Sequence, residues 1–353
     1  MIKRRKTKKI YCGGIPIGGD SPISIQSMTN TKTWDVSETL SQIHRLKKAG
    51  CEIVRLAIPD MRSAEAIVEI KKHIDMPVIA DIHFDHKLAL AAVESGADKI
   101  RINPGNIVRK ENLERIALSC MERSVPIRIG VNSGSLSGKI RKKHEHATAE
   151  AITESALEYI YLFESFGFGD IVVSVKSSDV LTTVESYRRL SKETDYPLHI
   201  GVTEAGTFFN GSVKSSIWIG SLLIDGIGDT LRVSITGDPV NEIRIAREIL
   251  GTLGIRNCGY KIISCPTCGR TTIDLEKLVN SVEERIFEEN MQDKPITIAV
   301  MGCEVNGPGE AKEADIGIAA SKGKVFLFRK GEIVGNSNPE SILDLLISEI
   351  KKI

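Results

Sequence analysis

No stretch of the 353-residue sequence comes near the roughly 18 uninterrupted apolar residues that a membrane-spanning helix needs, because Asp, Gly or Lys interrupts each apolar window. A surplus of one charge is also lacking, since 47 Lys and Arg stand against 46 Asp and Glu. Aromatic residues make up only 5%, so single-stranded nucleic acid finds neither a basic surface nor rings to stack on. Neither a membrane nor a nucleic acid is therefore expected as a partner. The six basic residues within positions 1–10 are followed by a Gly-rich stretch with no apolar segment, which excludes a secretory leader and predicts a flexible basic arm. Cysteine is sparse and odd in number, seven residues at uneven positions, which argues against a paired extracellular disulfide framework and for thiols in the cytoplasm. Histidine is absent after position 199.

What is present is a rhythm. Short β-branched runs at 23–29, 53–58, 77–83, 99–104, 126–132, 171–176, 197–203 and 230–235 alternate with helical-period segments at 36–49, 63–74, 112–123, 149–166, 180–193 and 239–250. Eight repeats of this alternation predict an α/β fold, a (β/α)8 TIM barrel, in preference to an open doubly wound sheet. The first unit has no G-x-G-x-x-G fingerprint, so nothing points to a dinucleotide fold. Near position 258 the rhythm changes, giving a division into 1–258 and a small α+β domain at 259–353. In the second part, a helix is expected at 274–289, starting soon after Cys268, with a strand at 295–303, a turn at 306–309, a hairpin at 324–334 and a closing helix at 339–352.

In a barrel, chemistry gathers where the strands end, because the following loops converge on one mouth. Those ends carry Gln26, Ser27, Thr29, Arg55, Asp81, His83, Arg101, Asn103, Arg128, Asn132, Lys176, Thr203, Glu204, Ser234 and Thr236. Arg55, Arg101, Arg128 and Lys176 lie within or at the end of apolar runs, where an unpaired charge costs several kcal/mol. A polyanionic ligand accounts for them, since guanidinium forks hold phosphate oxygens with paired charge-assisted bonds. Asp81 and His83, two apart on one strand, face the same side and can position a ligand or move a proton. The basic stretch with His144 and His146 reads as a solvated loop.

Cys265 and Cys268 have chelate spacing around a turn, and Cys303 follows a predicted strand. Without a nearby histidine, either Cys258 completes a zinc site or three cysteines and another donor hold an iron–sulfur cluster. Spacing alone leaves both open.

The stretch Ser264-Cys-Pro-Thr-Cys-Gly-Arg-Thr271, with Met301-Gly-Cys-Glu-Val-Asn-Gly-Pro-Gly-Glu310 and its continuation to Gly317, resembles the cluster region of the 4-hydroxy-3-methylbut-2-en-1-yl diphosphate synthase family. Barrel segments at 53–59, 80–84, 101–105, 128–135, 173–177, 201–206 and 232–239 resemble the same family, so the likeness spans the chain. It implies a [4Fe-4S] cluster held by Cys265, Cys268, Cys303 and Glu310. It also implies reductive opening of 2-C-methyl-D-erythritol 2,4-cyclodiphosphate, with loss of water, in non-mevalonate isoprenoid biosynthesis, using electrons from ferredoxin or flavodoxin. Arg55, Arg101, Arg128 and Lys176 would clamp the diphosphate. Asp81, His83, Asn103, Asn132, Thr203 and Ser234 would fix the rest of the substrate, with Glu204 as the acid/base candidate. The resemblance further implies a homodimer in which the cluster domain of one chain closes over the barrel of the other. Glu304, after a cluster cysteine, departs from the small or apolar residue expected there. A zinc-stabilised binding module on an unrelated barrel and a pterin-dependent methyltransferase-type barrel are the alternatives, and neither requires the cluster motif.

Overall fold

The computed structural model describes residues 2–107, 109–201, 206–303, 313–321, 324–338 and 341–353. The chain forms two compact units, Met1–Arg256 and Asn257–Ile353.

The first unit opens with an antiparallel hairpin, β1 (Ile10–Cys12) and β2 (Ile15–Ile17). Ile10, Cys12 and Ile17 pack against Ile53, Ile79 and Val172 and form an apolar floor under the barrel. Eight parallel strands follow: β3 (Ser24–Met28), β4 (Ile53–Ala57), β5 (Val78–Asp81), β6 (Lys99–Ile102), β7 (Ile127–Asn132), β8 (Ile171–Lys176), β9 (His199–Gly201) and β10 (Thr230–Arg232). Neighbours in sequence pair from β3 to β8, and β10 pairs with both β3 and β9. A parallel bridge between Val173 and Leu198 joins β8 to β9 and closes the ring. The expected (β/α)8 barrel is therefore present.

The outer helices begin where acidic or hydroxyl side chains stop the strand loops. Asp35, Asp60, Asp85 and Asp179 each accept a backbone N–H in the first turn of α1 (Val36–Lys48), α2 (Met61–His73), α3 (His86–Glu94) and α7 (Val180–Glu193). Each such cap is worth about 1 kcal/mol. The remaining barrel helices are α4 (Lys110–Glu122), α5 (Gly138–Lys143), α6 (Ala149–Ser165), α8 (Phe208–Ile224) and α9 (Val240–Thr252).

Two sequence expectations are corrected. The basic arm is not free: Arg4 donates to Ser21 O at 2.5 Å and pairs with Asp229 at 3.2 Å, while Arg5 donates to the carbonyls of Ser191, Thr194 and Tyr196. Carbonyls left over at the helix-to-strand turns attract these guanidiniums more strongly than solvent does. Gly226 is where the arm crosses, and a Cβ there would fall 2.2 Å from Lys3 O. The basic stretch at 139–146 is likewise not a solvated loop. It contains α5, anchored by buried Ile140 and capped by Ser137, and Glu154 holds both Lys143 and His144.

The second unit is a five-stranded sheet in the order β11 (Lys261–Ser264), β12 (Thr297–Met301), β13 (Ile316–Ser321), β14 (Lys324–Arg329), β15 (Glu332–Ser337). The first three are parallel and the rest antiparallel. The helices α10 (Leu275–Glu288) and α11 (Ile342–Lys352) bury Leu278, Val282, Ile286, Leu346 and Ile350 in one core with β12 and β13. The helix expected at 274–289 is α10, whose N-cap Asp274 accepts Lys277 N–H. Between Cys268 and this helix, Thr271 folds back, its N–H to Cys268 O and its hydroxyl accepting Cys268 N–H, while Thr272 N–H binds Gly302 O. The turn expected at 306–309 lies outside the described residues.

Candidate active site

The interior of the barrel mouth is built from alternate residues of the strands. Asp81, Arg101 and Arg128 stand side by side in the register of β5, β6 and β7, while Arg55 aligns with Met28 on β3. Asp81 is the shared anion: its Oδ1 lies 3.2 Å from Arg101 Nη1 and its Oδ2 lies 3.5 Å from both Arg55 Nε and His83 Nε2. Arg101 Nη1 is also 2.9 Å from His83 Nε2; Asp81 and His83 do meet, but β5 ends at Asp81, so the contact comes from the bend at His83 and not from a shared strand face. Burial would raise the Asp81 carboxyl, but Arg55, His83, Arg101 and Arg128 hold it well below the ordinary range. It stays ionised. Burial lowers the Arg55 guanidinium to about 10. Burial and the neighbouring Arg55, Arg128, Arg232 and Arg101 push Lys176 well down.

Sequence reasoning missed a fifth cation. Arg232 on β10 reaches the same mouth, held by Glu242 from the first turn of α9 through Nε and Nη2, both at 3.0 Å. The signal was available, since Arg232 sits in an apolar run as the other four cations do. Met28 Sδ lies 3.1 Å from Arg55 Nε and 3.5 Å from Arg232 Nη1. A thioether there touches two guanidiniums without neutralising either. Among the described residues, Arg55, Arg101, Arg128, Lys176 and Arg232 face two buried carboxylates, Asp81 and Glu242.

The positive excess coincides with polar atoms left without a partner. Arg101 Nε and Arg128 Nε and Nη1 are buried and make no hydrogen bond, while Asn132 ends β7 at the same mouth. Burying such donors costs several kcal/mol unless a ligand satisfies them. The arrangement is preorganised for an anion carrying more than one charge. Asn103 is more occupied: its Nδ2 donates to Ser135 Oγ at 2.9 Å and its Oδ1 accepts Gly105 N–H at 3.2 Å, so it shapes the loop after β6. Ser234 is partly accessible just beyond β10. Thr203 and Glu204 lie outside the described residues. Deeper in the barrel, Lys99 Nζ and both ring nitrogens of His199 are buried without hydrogen bonds. Burial and the surrounding Arg128, Lys176, Arg55 and Lys99 keep His199 well below its ordinary pKa and hence neutral.

In the second unit, β11 and β12 run parallel with Ser264 opposite Val300, so Cys265 and Cys303 leave the same end of neighbouring strands. Both are buried, Cys268 is exposed, and Cys265 Sγ accepts Gly302 N–H at 3.3 Å. Cys258 precedes β11, whose four residues span about 13 Å. That separation places it at the opposite end of the strand and argues against a closed four-cysteine zinc site. Among the described residues no group of three or more His, Cys, Asp or Glu side chains is arranged to hold a metal ion. Glu310 and Glu304 lie outside those residues. The donor chemistry nonetheless suits a thiolate-ligated cluster: two buried cysteines at adjacent strand ends and an exposed third in the loop between them.

Fold and mouth together define a (β/α)8-barrel protein with an excess of buried cations at the strand ends, joined to a unit with cysteines at the ends of two neighbouring strands. The chain belongs to the GcpE family: residues 7–247 match the GcpE TIM-barrel domain and residues 261–352 the GcpE protein C-terminal domain. It is 56% identical to a 4-hydroxy-3-methylbut-2-en-1-yl diphosphate synthase (flavodoxin) of Caldicellulosiruptor saccharolyticus, covering 98% of each chain. It is 54% identical to a protein of that name from Caldanaerobacter subterraneus subsp. tengcongensis, covering 100% of this chain and 99% of the other. Among solved structures it resembles dihydropteroate synthase from Stenotrophomonas maltophilia, with a TM-score of 0.53 at 12% identity, over 71% of this chain and 100% of that one. Type I 3-dehydroquinate dehydratase from Clostridium difficile gives 0.51 at 13% identity, over 70% and 98%. These two likenesses concern the barrel fold alone.

Proposed function

We infer that the chain is an iron–sulfur oxidoreductase that makes 4-hydroxy-3-methylbut-2-enyl diphosphate in non-mevalonate isoprenoid biosynthesis, with reduced flavodoxin as donor. Two electrons from the donor and one proton open 2-C-methyl-D-erythritol 2,4-cyclodiphosphate, breaking a ring C–O bond to free the diphosphate, and one hydroxyl leaves with that proton as water. The observation that carries this reading is the set of unsatisfied guanidinium N–H groups at the mouth, in a chain whose relatives are named for a diphosphate product. Their names favour flavodoxin over ferredoxin. The pterin-type and zinc-module alternatives gain no support from relatives that match both units.

Arg55, Arg101, Arg128 and Lys176, joined by Arg232, bind the diphosphate in this reading, and Asp81 holds Arg55 and Arg101 apart in fixed geometry. His83, half exposed beside Asp81, is placed to hold or move a proton at its ring nitrogens. Asn103, Asn132, Thr203 and Ser234 orient the rest of the substrate, and Glu204 is the proposed acid/base residue. Cys265, Cys268, Cys303 and Glu310 would hold a [4Fe-4S] cluster, which when bound supplies electrons one at a time. The carboxylate, a harder ligand than thiolate, would be the one substrate oxygen displaces.

A homodimer is proposed as well. On α8, Phe209, Val213 and Ile217 are exposed at successive spacings of four, an apolar stripe suited to a second copy of the chain. A cytoplasmic setting agrees with the free thiols of Cys12, Cys51, Cys120, Cys265 and Cys268, and no described helix is long and apolar enough to cross a membrane.

The test is anaerobic purification or reconstitution of the full chain, followed by turnover of the cyclic diphosphate with reduced flavodoxin. Brown protein with about four iron per chain and formation of the linear diphosphate is expected. Colourless protein carrying one zinc and no turnover would overturn the reading.

A further inference from the structure

Glu242 is the least expected acid in the barrel. It comes from the helix layer, in the first turn of α9, yet its carboxylate is 2% exposed and lies at the strand ends. Four donors reach it: Arg232 Nε and Nη2 at 3.0 Å each, Ser27 Oγ at 2.8 Å and Ile235 N–H at 3.3 Å. Among the described residues the ladder pairs joining β3 and β10 end at Leu231 and Ile25, although β3 runs on to Met28. Beyond that point the carboxylate bridges the two strands, reaching Ser27 on one side and Arg232 and Ile235 on the other.

We propose that Glu242 is a positioning residue that aims Arg232 at the substrate's diphosphate, which rests on the diphosphate reading above. Its two oxygens occupy the Nε and Nη2 edge of the guanidinium. The remaining Nη1 edge meets the thioether of Met28, a weak and neutral acceptor that an anion displaces at little cost. A fork fixed on one side and open on the other keeps its direction before the ligand arrives, so less rotamer freedom is lost on binding. The bond to Ile235 N–H extends the same control to the backbone beside Ser234. Glu242 touches no ligand in this scheme and acts through Arg232.

The test uses inorganic pyrophosphate as probe, binding to the full-length chain by calorimetry. Glu242→Gln keeps the shape but donates where it should accept, and is expected to weaken pyrophosphate binding about tenfold. In an Arg232→Met background the same change is expected to do nothing further, because the residue it acts through is gone. A loss in that background equal to the loss in wild type would mean a merely structural role and overturn the proposal, as would unchanged binding in Glu242→Gln alone. A wild-type chain that ignores pyrophosphate overturns the diphosphate reading and this proposal with it. Should Glu242→Gln fail to fold, Ser27→Ala removes one of the four donors while leaving the mouth intact, and a loss of about two- to fivefold is expected there. Unchanged binding in that variant also overturns the proposal.

Discussion

Gly130 leaves the space that Arg101 fills: a Cβ at residue 130 would stand 2.8 Å from Arg101 Nε and 3.1 Å from its Nη2. The neighbour that must yield is the end of a flexible side chain, not backbone. Gly130→Ala is therefore expected to fold with little loss of stability while Arg101 swings away from Asp81 and His83. Pyrophosphate affinity should fall about tenfold, the value of one charge-assisted contact. Calorimetric binding with a parallel thermal melt checks this, and a variant that binds as tightly as wild type would show that Arg101 does not contact the anion.

Arg128 is 1% exposed, two of its nitrogens lack partners, and burial beside Arg55 and Arg101 lowers its pKa well below the usual value. Its charge costs folding energy that a ligand recovers. Arg128→Met should melt at or above the wild-type temperature without ligand, yet bind pyrophosphate more weakly by about 1.5–3 kcal/mol. The two melting curves should cross as pyrophosphate is added. A variant less stable than wild type in the absence of anion would contradict this account.

Lys99 has no hydrogen-bond partner for its Nζ, and burial, with Arg128 and Arg55 adding to it and Cys12 opposing, lowers its pKa to about 8. Between that value and the ordinary one the unfolded chain holds more protons than the folded chain, so wild-type stability rises with pH in this window. At pH 7 the cost of burying the charge is fully present, on the order of 3 kcal/mol. Lys99→Met should be more stable than wild type at pH 7, and the difference should shrink as pH rises from 8 towards 10. Denaturant melts of both proteins at pH 7 and pH 10 decide it, and a pH-independent difference would argue against a buried ammonium.

Cys303 and Glu310 are assigned the same cluster but different roles. Cys303→Ser should lose most iron and the brown colour, since a buried thiolate at a strand end is replaced by a poor ligand. Glu310→Ala should retain iron through three thiolates and lose most turnover. Iron and sulfide analysis beside anaerobic assays separates them, and complete iron loss in Glu310→Ala would make the glutamate structural.

Much of the barrel is legible in the residues because its strands are buried on both faces and read as continuous β-branched runs, in which a cation stands out. Arg55, Arg101, Arg128 and Lys176 are found by that contrast alone. Arg232 has the same contrast but lies in a three-residue strand, and its partner Glu242 looks like an ordinary first-turn acid of a helix. The arm reads as flexible because its anchors, Asp229 and the 191–196 turn, are far away in sequence. Asp81 with His83 is an intermediate case: the sequence places them two apart on one strand, but β5 ends at Asp81, and it is the bend at His83 that returns the ring to the carboxylate.

The sequence by itself determined the alternation of strands and helices, the cations embedded in apolar runs and the cysteine spacing, because these depend on local periodicity and on the cost of burying charge. Only the tertiary structure decided which acid each cation meets. Closure of the ring through Val173 and Leu198 brings β10 against β3, and residues more than 200 positions apart, such as Ser27 and Glu242, share one hydrogen-bond network. Such pairings follow from barrel register and helix placement, which no local window of sequence contains.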